Sequence, residues 1–152
     1  MTTDHSQSDA LLTLIVRQRI DADAEWLFDA WTTPAQLMAW WGPTDVTCIV
    51  AEVDLRVGGS YSFGNRFGDG KVVWIEGEFE EITRPTRLVY TWRVGSQAAS
   101  ERVTVCFDEH DESTEVIVLH ERIGSTAARE GHALGWRGCL DGLTEFRARR
   151  LR

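Results

Sequence analysis

The sequence is short of several kinds of residue, and each shortage excludes a class of protein. Three cysteines and three prolines among 152 residues are too few for a disulfide scaffold or a proline-rich chain. No run of apolar residues approaches the ~20 that a membrane helix needs. Basic residues number 16 against 24 acidic ones, and the net charge of −8 argues against a nucleic-acid partner. We therefore expect a globular protein with no nucleic-acid partner and no membrane span.

The three cysteines are Cys48, Cys106 and Cys139. Their odd number and unpaired spacing indicate neither a disulfide framework nor a zinc motif. We predict no metal and no cofactor, and we expect reduced thiols in a cytoplasmic protein. Residues 1–9 are polar and lack the features of a signal peptide. They are predicted to form a flexible tail, followed by a single domain over residues 10–152.

Tryptophan, by contrast, is abundant: the chain has seven, beside six phenylalanines and two tyrosines. Rings of this size are either buried in the core or arranged around a binding site. The placement of these aromatic residues is therefore the most informative feature of the sequence.

Hydrophobic periodicity predicts one strand, two short helices, six strands and a long helix. Residues 11–20 alternate between apolar and polar side chains, which is typical of a strand with one buried face. Asp21 and Asp23 precede the first helix, and Pro34 begins the second, which ends at Gly42. Turn residues then separate six predicted strands at 46–55, 60–65, 71–82, 88–94, 101–108 and 114–121. The glycine-rich segment 64–70 is predicted to be a hairpin loop.

The last segment, residues 125–150, has helical periodicity with two adjacent stripes. The apolar stripe consists of His132, Trp136, Cys139, Leu140, Leu143 and Phe146. Beside it lie Gly131, Gly135, Gly138 and Gly142. Each internal glycine costs about 1 kcal/mol relative to alanine, so the stripe indicates either close backbone approach or space left for a ligand. A helix with weak propensity that is stabilised by packing is the alternative.

This order of elements, β-α-α-β6-α, predicts an α+β fold in which a seven-stranded antiparallel sheet curls around the C-terminal helix. Where such a sheet does not close completely around the helix, a hollow with apolar walls remains. No repeat or linker divides the chain, so one domain is expected.

Several segments together resemble a known group of proteins. They are Ala24-x-Trp26-Leu27-Phe28-x-Ala30-Trp31-Thr32-x-Pro34, Trp40-Trp41-Gly42-Pro43, Asp54-x-Arg56-x-Gly58-Gly59, Gly77-x-Phe79-x-Glu81-Ile82, Pro85-x-Arg87-Leu88-Val89-Tyr90-Thr91-Trp92 and His132-x-x-Gly135-Trp136-x-x-Cys139-Leu140-x-x-Leu143. Their order and spacing resemble the START-like (SRPBCC, helix-grip) superfamily. Within it, the chain is most similar to the bacterial single-domain members of the family named for the activator of the heat-shock-protein-90 ATPase. The resemblance covers residues 11–150 and implies a curved sheet around a hydrophobic cavity. It implies no single activity, since such proteins bind lipids, hydrophobic metabolites or partner proteins, and a minority are cyclases.

Ten residues are candidates for contact with a ligand, because they are aromatic or apolar on predicted inward faces or are histidines that can face the interior. They are Trp40, Trp41, Phe63, Phe79, Tyr90, Trp92, His120, His132, Trp136 and Leu140. A purely structural role in the core is the alternative for each of them. No motif for nucleophilic catalysis or for phosphate binding is found, so His120 and His132 are the only candidates for acid–base chemistry.

Three functions remain open at this point. The leading hypothesis is binding of a small hydrophobic molecule or lipid between the sheet and the last helix. The second is an enzyme of the cyclase or hydrolase type, which needs a histidine and a carboxylate within hydrogen-bond reach inside the cavity. The third is a protein-interaction module, either co-chaperone-like or a homodimer. Trp74 alternates with Glu76 and Glu78 on the predicted outer face and is the candidate for that surface.

Overall fold

The computed structural model describes residues 11–43, 45–95 and 99–151, so the predicted tail at 1–9 lies outside the described residues. Within these ranges the chain forms seven strands and three helices in the predicted order. Their bounds are β1 (Leu12–Ile20), α1 (Ala24–Thr32), α2 (Pro34–Trp40), β2 (Val46–Val53), β3 (Ser60–Phe67), β4 (Val72–Thr83), β5 (Arg87–Val94), β6 (Glu101–His110), β7 (Ser113–Ile123) and α3 (Thr126–Leu151).

The seven strands form one antiparallel sheet in the order β1-β7-β6-β5-β4-β3-β2. Strands β2 to β7 are neighbours in sequence order, because each is joined to the next by a short connection that reverses the chain. β1 pairs with β7 and completes the opposite edge, with Val16 opposite Val118. This is the predicted α+β helix-grip fold.

The two short helices begin where the sequence predicts. The side chain of Asp23 accepts a hydrogen bond from the backbone N–H of Trp26 at 2.8 Å and caps α1. Pro34 occupies the start of α2, where a backbone N–H would have no partner within the helix, so the missing N–H of proline costs no hydrogen bond. No helix in the described part of the chain combines the length and hydropathy that a membrane span requires.

The long helix α3 packs through its C-terminal half against β1 and α1. Five of the six residues of the predicted apolar stripe are buried: Trp136, Cys139, Leu140, Leu143 and Phe146. The Gln18 side chain on β1 donates hydrogen bonds to the Leu140 carbonyl and to the Thr144 hydroxyl. The rings of Trp26 and Phe146 are in contact, with centroids 5.7 Å apart. These contacts fix the helix at one end, so its N-terminal half is held across the other half of the sheet.

The outer face of the sheet follows the predicted alternation, but β3 is longer than expected. Trp74, Glu76 and Glu78 are exposed, and the Trp74 ring lies over Gly64, where a Cβ would lie 3.1 Å from the indole. Glycine in a strand allows this close approach. The predicted strand over 60–65 is confirmed, with Gly64 paired to both neighbouring strands, and the overlapping prediction of a hairpin loop over residues 64–70 is wrong in its first half. The strand continues to Phe67, and the turn contains Gly68 and Gly70.

Candidate functional site

A cavity of about 480 Å³ lies between the N-terminal half of α3 and the half of the sheet formed by β2 to β5. The sheet contributes mainly apolar side chains, and α3 contributes residues one turn apart. The cavity is lined by Trp41, Pro43, Asp45, Val46, Asn65, Phe67, Gly68, Val73, Ile75, Trp92, Val94, Gly131, His132, Leu134, Gly135, Trp136 and Cys139. Phe67 and Leu134 are exposed, so the edge of the cavity is apolar as well.

The strand alternation and the helical repeat bring these side chains to one place. On β5, Trp92 and Val94 point to the same face, as do Val73 and Ile75 on β4. On α3, His132, Trp136 and Cys139 are spaced by four and three residues and share one face. The inward faces of these strands and the facing side of α3 therefore form opposite walls of the cavity.

Two kinds of glycine occur on this face of α3. A Cβ added at Gly131 or Gly135 would meet no atom within 4 Å outside the helix backbone, and both residues line the cavity. A Cβ at Gly142 would lie 2.8 Å from the Trp40 carbonyl oxygen. Both reasons for a glycine stripe are therefore present. The first two glycines leave space, and Gly142 allows close backbone approach.

Three indole rings form the deep wall of the cavity. The Trp136 ring centroid lies 5.5 Å from that of Trp41 and 5.4 Å from that of Trp92. Behind them, Trp31 stacks on Trp136 at 6.1 Å. Aromatic rings at these separations stabilise one another and limit each other's rotation. The wall is thus apolar and held in place by contacts between its rings.

Two polar atoms of the lining residues have no hydrogen-bond partner among the described residues. They are the amide oxygen Oδ1 of Asn65 and the indole Nε1 of Trp92. Asn65 is only 3% exposed and Trp92 only 5%. A buried polar atom without a partner costs about 1–3 kcal/mol. Both atoms belong to residues that line the cavity, but the atoms themselves are buried beneath its surface.

A buried hydrogen-bond network adjoins the cavity and ends at its edge. His120 Nε2 lies 2.7 Å from Glu101 Oε1, and His132 Nε2 lies 3.1 Å from the same oxygen. The two imidazole rings stack, with centroids 4.5 Å apart. Trp136 Nε1 donates to His120 Nδ1 at 3.0 Å. Because an indole N–H can only donate, Nδ1 of His120 accepts, and the proton of this imidazole resides on Nε2.

The environment of His120 favours the neutral imidazole. Burial lowers the pKa of His120, and the hydrogen bond to Glu101 opposes this effect only in part. Burial also raises the pKa of the Cys139 thiol to about 12, so this lining residue is a neutral thiol. His132 differs from His120 in position, since its side chain is 22% exposed and lines the cavity.

Glu101, His120 and His132 also place three potential metal-ligand atoms within 4.8 Å of one another. A histidine that binds a metal normally donates its second ring N–H to an acceptor. In His120 that second nitrogen faces the N–H of Trp136, so a metal-bound neutral imidazole would set two donors against each other. The trio therefore fits a hydrogen-bonded network better than a metal site.

Four of the ten predicted ligand contacts line the cavity, namely Trp41, Trp92, His132 and Trp136. The other six are buried in the core and are not part of its lining; they are Trp40, Phe63, Phe79, Tyr90, His120 and Leu140. Trp40 donates its Nε1–H to the Ala30 carbonyl, which is a structural role. Of the two catalytic candidates, only His132 reaches the cavity.

Sequence reasoning missed two polar residues, Asn65 and Glu101. Asn65 follows Phe63 by two residues on β3, and Glu101 precedes Val103 by two residues on β6, so both share the inward face of their strands. Both are buried. The sequence pattern that could have identified them is a polar residue at a position where the strand alternation predicts an inward, apolar side chain.

A second hollow of about 680 Å³ lies on the outer side of the sheet. It is larger than the cavity under α3, but its lining includes Glu52, Glu76 and Glu78, whose carboxylates favour water. Neither of the buried, unpartnered side-chain atoms lies in it. The cavity under α3 is therefore the better candidate for a binding site.

Comparison with known proteins gives a consistent result. The family model described as Activator of Hsp90 ATPase homolog 1-like protein matches residues 21–147. A solved structure from Chromobacterium violaceum is similar with a TM-score of 0.81 at 25% identity, over 88% of this chain and 95% of that one. The AHSA1 protein from Silicibacter pomeroyi gives 0.80 at 21% identity, over 91% and 99%. An HSP90 activator from Plasmodium falciparum gives 0.56 at 27% identity, over 74% of each chain. The comparison with curated proteins gave no match.

Proposed function

Starting from the fact that this chain belongs to the Activator of Hsp90 ATPase homolog 1-like family, we propose that it binds a small, mainly apolar molecule in the cavity under α3. The volume of about 480 Å³ falls within the range of about 300–1,000 Å³ for small-molecule sites. Exposed apolar side chains at the edge, Phe67 and Leu134, provide a surface over which such a molecule can enter.

The observation that carries the proposal is the pair of unpartnered polar atoms on Asn65 and Trp92. A ligand that displaces the side chains covering these atoms, donates to Asn65 Oδ1 and accepts from Trp92 Nε1–H would remove a cost of about 1–3 kcal/mol at each atom. The apolar body of the ligand would contact the three indoles, and its burial would supply most of the binding energy. The polar pair would then set its orientation.

Native mass spectrometry of the purified protein tests this proposal, together with a variant that fills the cavity. Gly135→Leu extends a side chain from a lining position whose Cβ would meet open space, so it should remove both a co-purified molecule and the binding of an added hydrophobic fluorophore. Ala127→Leu adds the same side chain at an exposed position of α3 and should leave both unchanged. Equal binding by wild-type protein and Gly135→Leu would contradict the proposal.

A protein-partner function is the second candidate, and two observations favour it. One is the likeness to an HSP90 activator, and the other is the exposed Trp74 on the outer face, 41% accessible to solvent. Val72, two residues before it on the same face of β4, is exposed as well, and contiguous exposed apolar patches often mark contact surfaces. Addition of the chain to an Hsp90 protein should then raise its ATPase rate, and Trp74→Ser should abolish the effect. No change in rate would leave ligand binding as the function. Light scattering decides between a monomer and a homodimer.

The proposed location is the cytoplasm. Cys48, Cys106 and Cys139 are free thiols, which reducing compartments preserve. Fractionation of cells that produce the tagged protein tests this, and recovery outside the cytoplasmic fraction would contradict it.

A further inference from the structure

We propose that the cavity selects a weak acid, such as a phenol or an enol, and that His132 accepts its proton when it binds. This inference rests on the proposed function, because it names the chemistry of the polar group that the cavity ligand carries. It also assigns a role in proton transfer to His132 and Glu101, the histidine–carboxylate pair that the catalytic hypothesis required.

Both ring nitrogens of His120 already form hydrogen bonds within the protein. Its Nδ1 accepts from Trp136 and its Nε2–H donates to Glu101 Oε1. Both ring nitrogens are therefore occupied by protein groups, and the side chain is fully buried. His120 has neither a free lone pair nor access to a ligand. Its role is to hold Glu101 in place.

The second step concerns His132, whose two ring nitrogens differ. Nε2 lies 3.1 Å from Glu101 Oε1, where two facing lone pairs would repel each other, so Nε2 carries the proton. Nδ1 consequently bears a lone pair, and the described residues provide no hydrogen bond to it. The side chain lines the cavity. His132 is thus a base held by a buried carboxylate, with its free nitrogen available to a ligand.

The third step is the charge balance around His132. The titratable groups in contact with it are Glu101 on β6 and His120 on β7, and Asp45 before β2 and Cys139 on α3 line the same cavity. Strands β3, β4 and β5 contribute no charged residue to the lining. Glu101 is the carboxylate in contact with His132, at 3.1 Å, and it supplies the counter-charge for an imidazolium formed there.

The proton transfer balances without any further reagent. The O–H bond of the ligand breaks, an Nδ1–H bond forms, and the electron pair remains on the ligand oxygen. The product is an imidazolium between the carboxylate of Glu101 and the anion of the ligand, and each charge is adjacent to one of opposite sign. A neutral ether of the same shape cannot take part in this step.

The test uses 3-nitrophenol, a weaker acid whose neutral and ionised forms have separate absorption bands, and its methyl ether 3-nitroanisole. Spectra are recorded with saturating protein at a pH one unit below the pKa of the free phenol, where an ordinary imidazole is mainly neutral. We expect the bound phenol to be mainly ionised, with an acidity constant at least tenfold higher than in solution. His132→Phe should bind the ether as wild-type protein does and leave the bound phenol neutral. The surface variant His110→Phe serves as the matched control and should behave as wild type.

Glu101→Gln provides a second variant, because glutamine keeps a hydrogen-bond acceptor for the two histidines but removes the negative charge. It should reduce the ionised fraction of the bound phenol while ether binding persists. The inference is overturned if the phenol binds wild-type protein in its neutral form, or if His132→Phe retains the ionised band. If neither the phenol nor the ether binds to wild-type protein, the proposed function is contradicted together with this step. Binding of both as neutral molecules contradicts this step alone.

Discussion

Two glycines on the same face of α3 should respond in opposite ways to the same substitution. A methyl group at Gly135 meets open space, whereas at Gly142 it would lie 2.8 Å from the backbone carbonyl oxygen of Trp40. Alanine is preferred over glycine in a helix by about 1 kcal/mol, so Gly135→Ala should raise the free energy of unfolding by about that amount. At Gly142 the same gain is offset by an overpacking cost of about 1–3 kcal/mol.

The expected difference between Gly135→Ala and Gly142→Ala is therefore about 1–3 kcal/mol. Urea unfolding followed by tryptophan fluorescence measures it, provided that the dependence on urea concentration has the same slope in both variants. Gly131→Ala, which also meets open space, should behave like Gly135→Ala. An equal gain in stability at all three positions would refute the close contact between α3 and the end of α2, and with it the geometry that holds the cavity open.

Three further predictions concern buried groups. Glu101→Ala should lower the free energy of unfolding by about 1–3 kcal/mol, because the buried Nε2–H of His120 loses its acceptor; unchanged stability in urea unfolding would contradict the network. The folded state keeps His120 neutral with a lowered pKa, so the unfolded chain binds more protons below pH ~6.5. The free energy of unfolding should accordingly fall as the pH drops below that value and be constant above it with respect to this group. His120→Gln should reduce this pH dependence. A flat stability profile from pH 7.5 to 5.5 in the wild-type protein would exclude it. Iodoacetamide should modify the half-buried Cys106 before the buried Cys139, and mass spectrometry that finds the reverse order would show that α3 opens readily.

Much of the fold was predictable because alternation and helical periodicity report directly on burial. On β4, for example, the exposed residues Trp74, Glu76 and Glu78 alternate with partly buried residues that include Val73 and Ile75. On α3, the apolar stripe from Trp136 to Phe146 is buried as its spacing requires. Local patterns were sufficient here because each element has a single buried face.

The cavity itself was less predictable, because periodicity identifies an inward face but does not distinguish a filled interior from a hollow one. Phe63, Phe79 and Tyr90 face inward as expected, yet they pack with Tyr61 and with one another and fill their part of the interior. Whether rings fill the space depends on the position of α3, which the long-range contacts of its other half determine. The sequence also did not show that β3 continues past Asn65 to Phe67, since that depends on pairing with Val46 and Thr47 on β2.

The most direct test of ligand binding is a nuclear magnetic resonance titration that follows the indole N–H signals of the tryptophans. Trp92 Nε1–H has no partner in the described part of the chain, so a ligand with an acceptor should shift its signal downfield, with smaller changes at Trp41 and Trp136. Trp74, on the outer face, should not move. A ligand that shifts Trp74 and leaves Trp92 unchanged would contradict the account and would place binding on the outer surface of the sheet.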